Sequence, residues 1–388
     1  MKTDVVAIGS NYSTLLGNIK SLGLDGHKCY LVKRGENKIP TPDKKSEYVK
    51  DTLQINLYPD ENDIALIIEK FADKDNKRVL LPSDDRCSSL LDMFYDKLSE
   101  HFILPNINRK QGEITRLMNK FVQKVYAEKS GLKVANAVTI QMSNSEIPQD
   151  VKYPCFTKPL QSKGASKGLI QKIDSSDQLS ALLRRAKESG VESVLVEDYV
   201  EVTNEFTIPG VAVNGKVFIP AYIRKSLISS GLHRGVTISG SVWNFSKYAE
   251  LQGKLMEFIR LVGFEGVFDI EVLQSGNDFY FNELNLRNGA AGYALTKAGI
   301  NLPAYYVSAI YDKDAILDVS KFKEGLSFVS DKAALEAYLD GAFSYKKYKE
   351  LLASADFCFL TDDVDMPAKR QFFKYKLCYI IWNMIKKC

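Results

Sequence analysis

The chain has 388 residues, 45% of them hydrophobic and 26% charged, so it can bury a sizeable core and is long enough for two or three subdomains. Its 52 Lys and Arg nearly balance 48 Asp and Glu, for a net charge of +4, which gives no reason to expect a nucleic-acid partner. Six scattered cysteines without a CxxC pair and only three histidines argue against a structural zinc site or a disulfide framework; without a basic-then-apolar leader, or an apolar run near the roughly 20 residues of a spanning helix, the chain reads as a cytoplasmic protein with reduced thiols.

Residues 4–8 (DVVAI) form an apolar β-branched run, followed by Gly9-Ser10-Asn11 and a helical pattern carrying Leu15, Leu16, Ile19 and Leu22. A second strand follows at 29–32, giving the strand–turn–helix–strand opening of a parallel α/β sheet. The turn lacks a full G-x-G-x-x-G and is read as a tight turn, not a dinucleotide site. Another buried strand spans 78–82 and ends on Ser83, Asp84 and Asp85. The two aspartates either touch a ligand beyond the strand end or cap the next helix, 87–98, and residue preference favours the cap.

Residues 108–130 read as a long helical region, with a strand at 134–140 and a polar loop at 143–150. The pattern then changes to short strands at 155–159, 168–173, 193–200, 205–213, 216–222, 266–273 and 278–284, interrupted by helices at 176–189 and 248–261. This part is α+β in character. From about residue 319 the chain is less regular, and it closes with KRQFFKYKLCYIIWNMIKKC, which has six basic side chains and no acidic one.

Two segments carry chemistry. In YPCFTKPLQSKGASKG, Lys158 stands at the end of an apolar strand, before a loop with Gly164, Ala165, Ser166, Lys167 and Gly168. Small residues let backbone N–H groups approach phosphate oxygens, and Ser and Lys add a donor and a charge; Gly/Ser surface turns are also common. In the second, Glu271 closes FDIE, and Glu283, Asn285 and Arg287 alternate through FNELNLR. Residues two apart on a strand share a face, and the turn at 275–277 folds Glu271 back towards them. Two carboxylates and an amide oxygen suit Mg²⁺, and Arg287 suits an anionic centre. A solvated hairpin face is the other reading for each residue singly, but a poor one for the set, because the strands are strongly apolar.

On these motifs the chain resembles the ATP-grasp superfamily from about residue 1 to about residue 310, particularly the carboxylate–amine ligases related to carbamoyl-phosphate synthase, biotin carboxylase and D-alanine–D-alanine ligase. The resemblance implies a mixed α/β and α+β architecture. A Rossmann-like domain would occupy 1–107, a linker helix and small α/β subdomain 108–200, a large α+β subdomain 201–318, and a C-terminal extension 319–388. It implies ATP and Mg²⁺ as cofactors, two ions with Mn²⁺ as a substitute, and small-molecule carboxylate and amine substrates. Lys120 in MNKFVQKVYAEKSGLKV resembles the first phosphate-side lysine, although Asn119 stands where the family usually has Asp, and Lys124 and Lys129 are nearby competitors for that role or else ordinary helix-surface charges. Lys158 resembles the lysine on the α and β phosphates, and KGASKGL, with Ser166, Lys167 and Gly168, the loop that closes over them. Glu197, Asp198, Tyr199 and Val200 resemble the hinge on the adenine edge, and Glu205 the ribose residue. Glu271, Glu283 and Asn285 resemble the metal ligands, and Arg287 the transition-state arginine.

On the acceptor side, Arg224 and Arg234 are candidates for a carboxylate or acyl phosphate because a guanidinium forks onto such groups. His233 is as well explained by an exposed loop. The implied reaction is ATP-dependent joining of a carboxylate to an amine (or thiol) through an acyl phosphate, with an amino acid or an envelope or polysaccharide precursor as the substrate class it suggests. A nucleotide-binding regulator or a small-molecule kinase on the same fold is the alternative. The tail, 369–388, either docks on the body or a second subunit through Phe373, Leu377, Ile380, Ile381 and Met384, or lies on an anionic membrane.

Overall fold

The computed structural model describes residues 3–10, 12–36, 39–144, 146–160, 166–229 and 235–387, with side chains at 166–167 and 383–387 excepted. The N-terminal sheet is parallel, in the order β3-β2-β1-β4-β5: β1 (Val5–Gly9), β2 (Cys29–Arg34), β3 (Val49–Ile55), β4 (Arg78–Pro82) and β5 (Phe102–Ile103). All five residues of β1 are buried, as a strand covered by helices on both faces requires. The helices are α1 (Tyr12–Leu24), α2 (Glu61–Phe71), α3 (Asp85–Met93) and α4 (Tyr95–Ser99). The expected helix 87–98 therefore starts earlier and breaks at Phe94.

Residues 106–129 supply β6 (Asn106–Ile107), α5 (Glu113–Leu117) and α6 (Lys120–Lys129). The single helical region expected at 108–130 is thus two short helices, entered through Gly112 at φ 86° and restarted where the Asn119 side chain accepts from the N–H groups of Phe121 and Val122. The expected strand 134–140 likewise divides. Its start, β7 (Lys133–Val134), joins the large sheet, and β8 (Ala137–Gln141) joins a small one.

The small sheet, β10-β9-β11-β8, comprises β9 (Cys155–Pro159), β10 (Gln171–Ile173) and β11 (Ser193–Asp198) besides β8, backed by α7 (Ser176–Glu188). The α7 residues Leu179, Leu182, Leu183 and Ala186 fill a core under it, at the spacing of an amphipathic helix.

The large sheet has ten strands. Its centre is β12 (Asn204–Val213), β14 (Ala221–Ile228), β15 (Thr237–Asn244), β16 (Phe264–Ser275) and β17 (Asp278–Asn285), with β13 (Lys216–Phe218) on β12. The expected strand 216–222 divides at Pro220, which has no N–H for a ladder. Helix α8 (Ala249–Val262) packs on one face with α5 and α6 around Phe258, Phe268 and Ile270. Helices α9 (Gly292–Lys297) and α10 (Leu302–Tyr311) join the sheet to α1 through a core containing Tyr293 and Leu295.

The region expected to be irregular is ordered into β18 (Ser327–Val329), α11 (Asp331–Leu339), α12 (Tyr345–Ser354), β19 (Phe357–Cys358) and α13 (Met366–Lys387). β18 and β19 extend the large sheet past β15. Helix α13 docks on the body, but through Ala368 and Phe372, with Tyr375, Tyr379 and Ile380 half-buried. Of the residues expected to dock, Phe373, Leu377 and Ile381 are exposed instead, and the Met384 side chain lies outside the described residues. No helix among the described residues is long and apolar enough to cross a membrane.

Candidate active site

Strands β16 and β17 pair antiparallel with Glu271 opposite Glu283 and Asp269 opposite Asn285. Alternation sends Ile270, Val272 and Leu284 into the core below, so these four polar side chains share the face above. A register shift after Glu271 pairs Val272 with Phe281. Asn282 is the extra residue of that bulge, and the bulge turns it onto the same face. Its Oδ1 accepts from Lys158 Nζ at 2.5 Å, and its Nδ2 donates to Glu271 Oε2 at 3.2 Å.

Four lysines face this strand pair. Lys120, at the start of α6, reaches Glu283 Oε1 at 2.7 Å. Lys124, one turn on, is buried 2.8 Å from Glu197 Oε1; it is a site residue, not an ordinary helix-surface charge, whereas Lys129 is exposed. Lys158, on β9, is 2.8 Å from Glu197 Oε2, so one carboxylate bridges two lysines. Burial opposes ionisation of Glu197, but Lys158 and Lys124 outweigh it and hold the carboxyl below its ordinary range. Lys225, on β14, lies 3.4 Å from both Glu205 Oε2 and Glu271 Oε1. Burial works against its charge, yet Glu271, Glu205 and Asp269 raise its pKa.

Arg287 connects the cleft to the N-terminal sheet. Its Nε donates to Asp85 Oδ1 at 2.9 Å and its Nη2 to Asp85 Oδ2 and Asn285 Oδ1, at 3.3 and 3.2 Å. The two aspartates after β4 divide the roles left open by the sequence. Asp84 caps α3, accepting from Cys87 N–H at 2.9 Å, while Asp85 crosses to the arginine. Asp269 sits beneath, its carboxylate against the backbone of Gly289, where any side chain would collide with it. Burial and the neighbouring Glu271 push its pKa up to about 7 against the pull of Arg287 and Lys225. Asp269, Asn282 and Lys225 are the members missing from the sequence reading, in which Lys124 stands only as a competitor of Lys120. Alternation two residues before Glu271 marks Asp269; the bulge that turns Asn282 inward has no sequence signal.

These groups line a cleft of about 880 Å³ between the small and large sheets, within the range of ligand pockets. Phe156, Ile170, Tyr199, Val200 and Leu273 give it an apolar end. Asp198 lines the cleft there and accepts from Asn136 Nδ2 at 2.7 Å. Glu197 is committed to its two lysines. Arg224 is a correction: adjacent strand residues point oppositely, so with Lys225 inward Arg224 is exposed on the other face, its Nε on Asn204 Oδ1 at 2.9 Å. Gly168 is exposed in a 3₁₀ turn, Ser166–Leu169. The side chains of Ser166 and Lys167, and Arg234 and His233 altogether, lie outside the described residues.

Among the described residues no three Asp, Glu, His or Cys side chains cluster closely enough to hold a metal by themselves. Glu271, Glu283 and Asn285 nevertheless offer hard oxygens on one face. Such a set fits Mg²⁺, which takes one or two carboxylates and completes its shell with water and nucleotide phosphates.

Residues 125–302 match the ATP-grasp domain family. The fold resembles L-amino acid ligase from Bacillus licheniformis, at 15% identity over 83% of this chain and 76% of that one, with a TM-score of 0.60. It also resembles the ADP complex of N5-carboxyaminoimidazole synthetase from Staphylococcus aureus (16%, 80% and 78%, TM-score 0.62). A third likeness is the biotin carboxylase–ATP complex from Campylobacter jejuni (14%, 84% and 74%, TM-score 0.63). No curated protein matches the chain. The likeness to the solved structures is one of fold, and the match to the ATP-grasp domain family extends over residues 125–302 of the 388.

Proposed function

We propose that the chain is an ATP-dependent ligase that joins a small-molecule carboxylate to an amine through an acyl phosphate. The observation that carries this reading is the convergence of Lys120, Lys158 and Arg287 with Glu271, Glu283 and Asn285 in one cleft between two sheets. The backbone of 198–200 would hold the adenine edge and Glu205 the ribose. Lys120 and Lys158 would lie along the phosphates. Arg287, fixed by Asp85, would face the γ-phosphate. Glu271, Glu283 and Asn285 would hold Mg²⁺, which when bound neutralises and orients phosphate oxygens.

A carboxylate oxygen attacks the γ-phosphorus, the bond to the bridging oxygen breaks, and ADP leaves. The amine nitrogen then attacks the acyl carbon and loses a proton to solvent, and phosphate departs with the bonding pair. The chain's own residues position and neutralise, and none becomes covalently modified.

The test is ADP and phosphate release from Mg-ATP with pooled carboxylates and pooled amines. Release should need both pools and vanish in Glu283→Ala, and hydroxylamine in place of the amines should trap a hydroxamate. Release with a carboxylate alone and no hydroxamate would mark a kinase. ATP binding without turnover under any pool would favour a nucleotide-binding regulator.

A further inference from the structure

Helix α13 has two apolar faces, and among the described residues only one is covered by the body. On the docked side Ala368 and Phe372 are buried, and the Tyr375 ring meets Tyr12 edge-on at 5.0 Å. Lys376 Nζ donates to Tyr348 Oη at 2.8 Å. The helix start is fixed as well. Asp365 accepts from the N–H groups of Ala368 and Lys369 and from the Ser46 hydroxyl. On the opposite side Phe373, Leu377 and Ile381 follow one another at intervals of four, 51, 61 and 48% exposed, so they form one stripe pointing away from the protein.

Arg370 and Lys374 lie alongside that stripe, both exposed and without an acidic partner among the described residues. Residues 366–388 hold six Lys and Arg and no Asp or Glu. That charge selects the occupant. A second copy would bring two all-basic helices face to face with nothing to neutralise them. An anionic lipid surface neutralises them and accepts the aliphatic and aromatic side chains together. The docked face also keeps the helix formed beforehand, so binding carries little ordering cost.

We propose that α13 seats the protein in the plane of an anionic membrane surface, with Phe373, Leu377 and Ile381 in the acyl boundary and Arg370 and Lys374 on headgroup phosphates. This is independent of the ligase reading.

The test is co-sedimentation of the full chain with vesicles of phosphatidylglycerol and phosphatidylcholine, beside phosphatidylcholine alone. Binding should require the anionic lipid and weaken at about 0.5 M salt. The triple variant Phe373→Ser, Leu377→Ser, Ile381→Ser should bind at least about tenfold more weakly while keeping the wild-type melting temperature, because its side chains face outward. Arg370→Gln and Lys374→Gln should each cost about fivefold. Absence of binding to anionic vesicles, or binding indifferent to the triple variant, would overturn the proposal. So would a dimer in solution that the triple variant dissociates.

Discussion

Lys33 and Asp43 meet at 2.6 Å in the N-terminal part with neither side chain accessible at all. Lys20 and Asp362 meet at the same distance, nearly as enclosed, and Tyr293 donates to the other oxygen of Asp362 at 2.5 Å. Across the cleft lysines meet glutamates at 2.7 to 3.4 Å, but Glu271, Glu283 and Glu205 are each a quarter or more exposed. The first pair is closed to solvent, and Asp362 is already shared with Lys297 at 3.5 Å. The pairs in the cleft can release a lysine to a phosphate or a carboxylate to a cation. Burial of a charge therefore does not mark the site; access to it does.

The sharpest way to break this contrast is to remove one member from each kind of pair. Asp43→Ala leaves Lys33 buried and unpaired, and should lower unfolding stability by about 3–5 kcal/mol in urea titration, with ATP affinity of the folded fraction unchanged. Lys158→Met should do the reverse. Turnover falls about 100-fold or more, as when one preorganised charge contact is lost, and stability falls less than in Asp43→Ala because Glu197 retains Lys124. Equal stability losses would erase the distinction.

Asp269 gives a pH-dependent test. With its pKa raised to about 7 in the folded protein, against about 3.9 unfolded, the folded state binds more protons in between. Its contribution to stability is therefore greatest at low pH and declines as pH rises from about 4 to about 7. Glu283 and Glu197, held below their ordinary range, act oppositely, but their stabilisation is lost only on acidification through lower pH. Metal-free urea unfolding between about pH 5 and 8 should show a downward slope that Asp269→Asn flattens. An unchanged slope would contradict the assignment. The smallest effect should come from Arg224→Ala. Its stability should stay within about 0.5 kcal/mol of wild type and its turnover should be unaltered, while Lys225→Met, one residue on, impairs turnover.

The parallel opening and the strand pair bearing Glu271, Glu283, Asn285 and Arg287 were legible because period-2 and period-3.6 patterns are local. Strand β3 was not, because its burial is patchy: only Ile55 of Val49–Ile55 is fully buried. The division of 133–141 between two sheets depends on pairing partners distant in sequence, and the register shift that places Asn282 on its bulge has no residue-type signal in the hairpin. Lys124 could not be told from a surface lysine, because its partner Glu197 is 73 positions away. Arg224 was misassigned for want of a strand phase, and once Lys225 is placed inward its direction follows. The docking face of α13 was also misjudged, since both of its faces are apolar and sequence alone does not say which one the body covers.

The most direct measurement is a calorimetric titration with Mg-ATP of the wild type, Arg224→Ala and Lys158→Met. The cleft described here predicts saturable binding that is alike in the first two and at least about tenfold weaker in the third. No binding to the wild type, or binding to Lys158→Met as tight as wild type, would show that the nucleotide does not occupy this site.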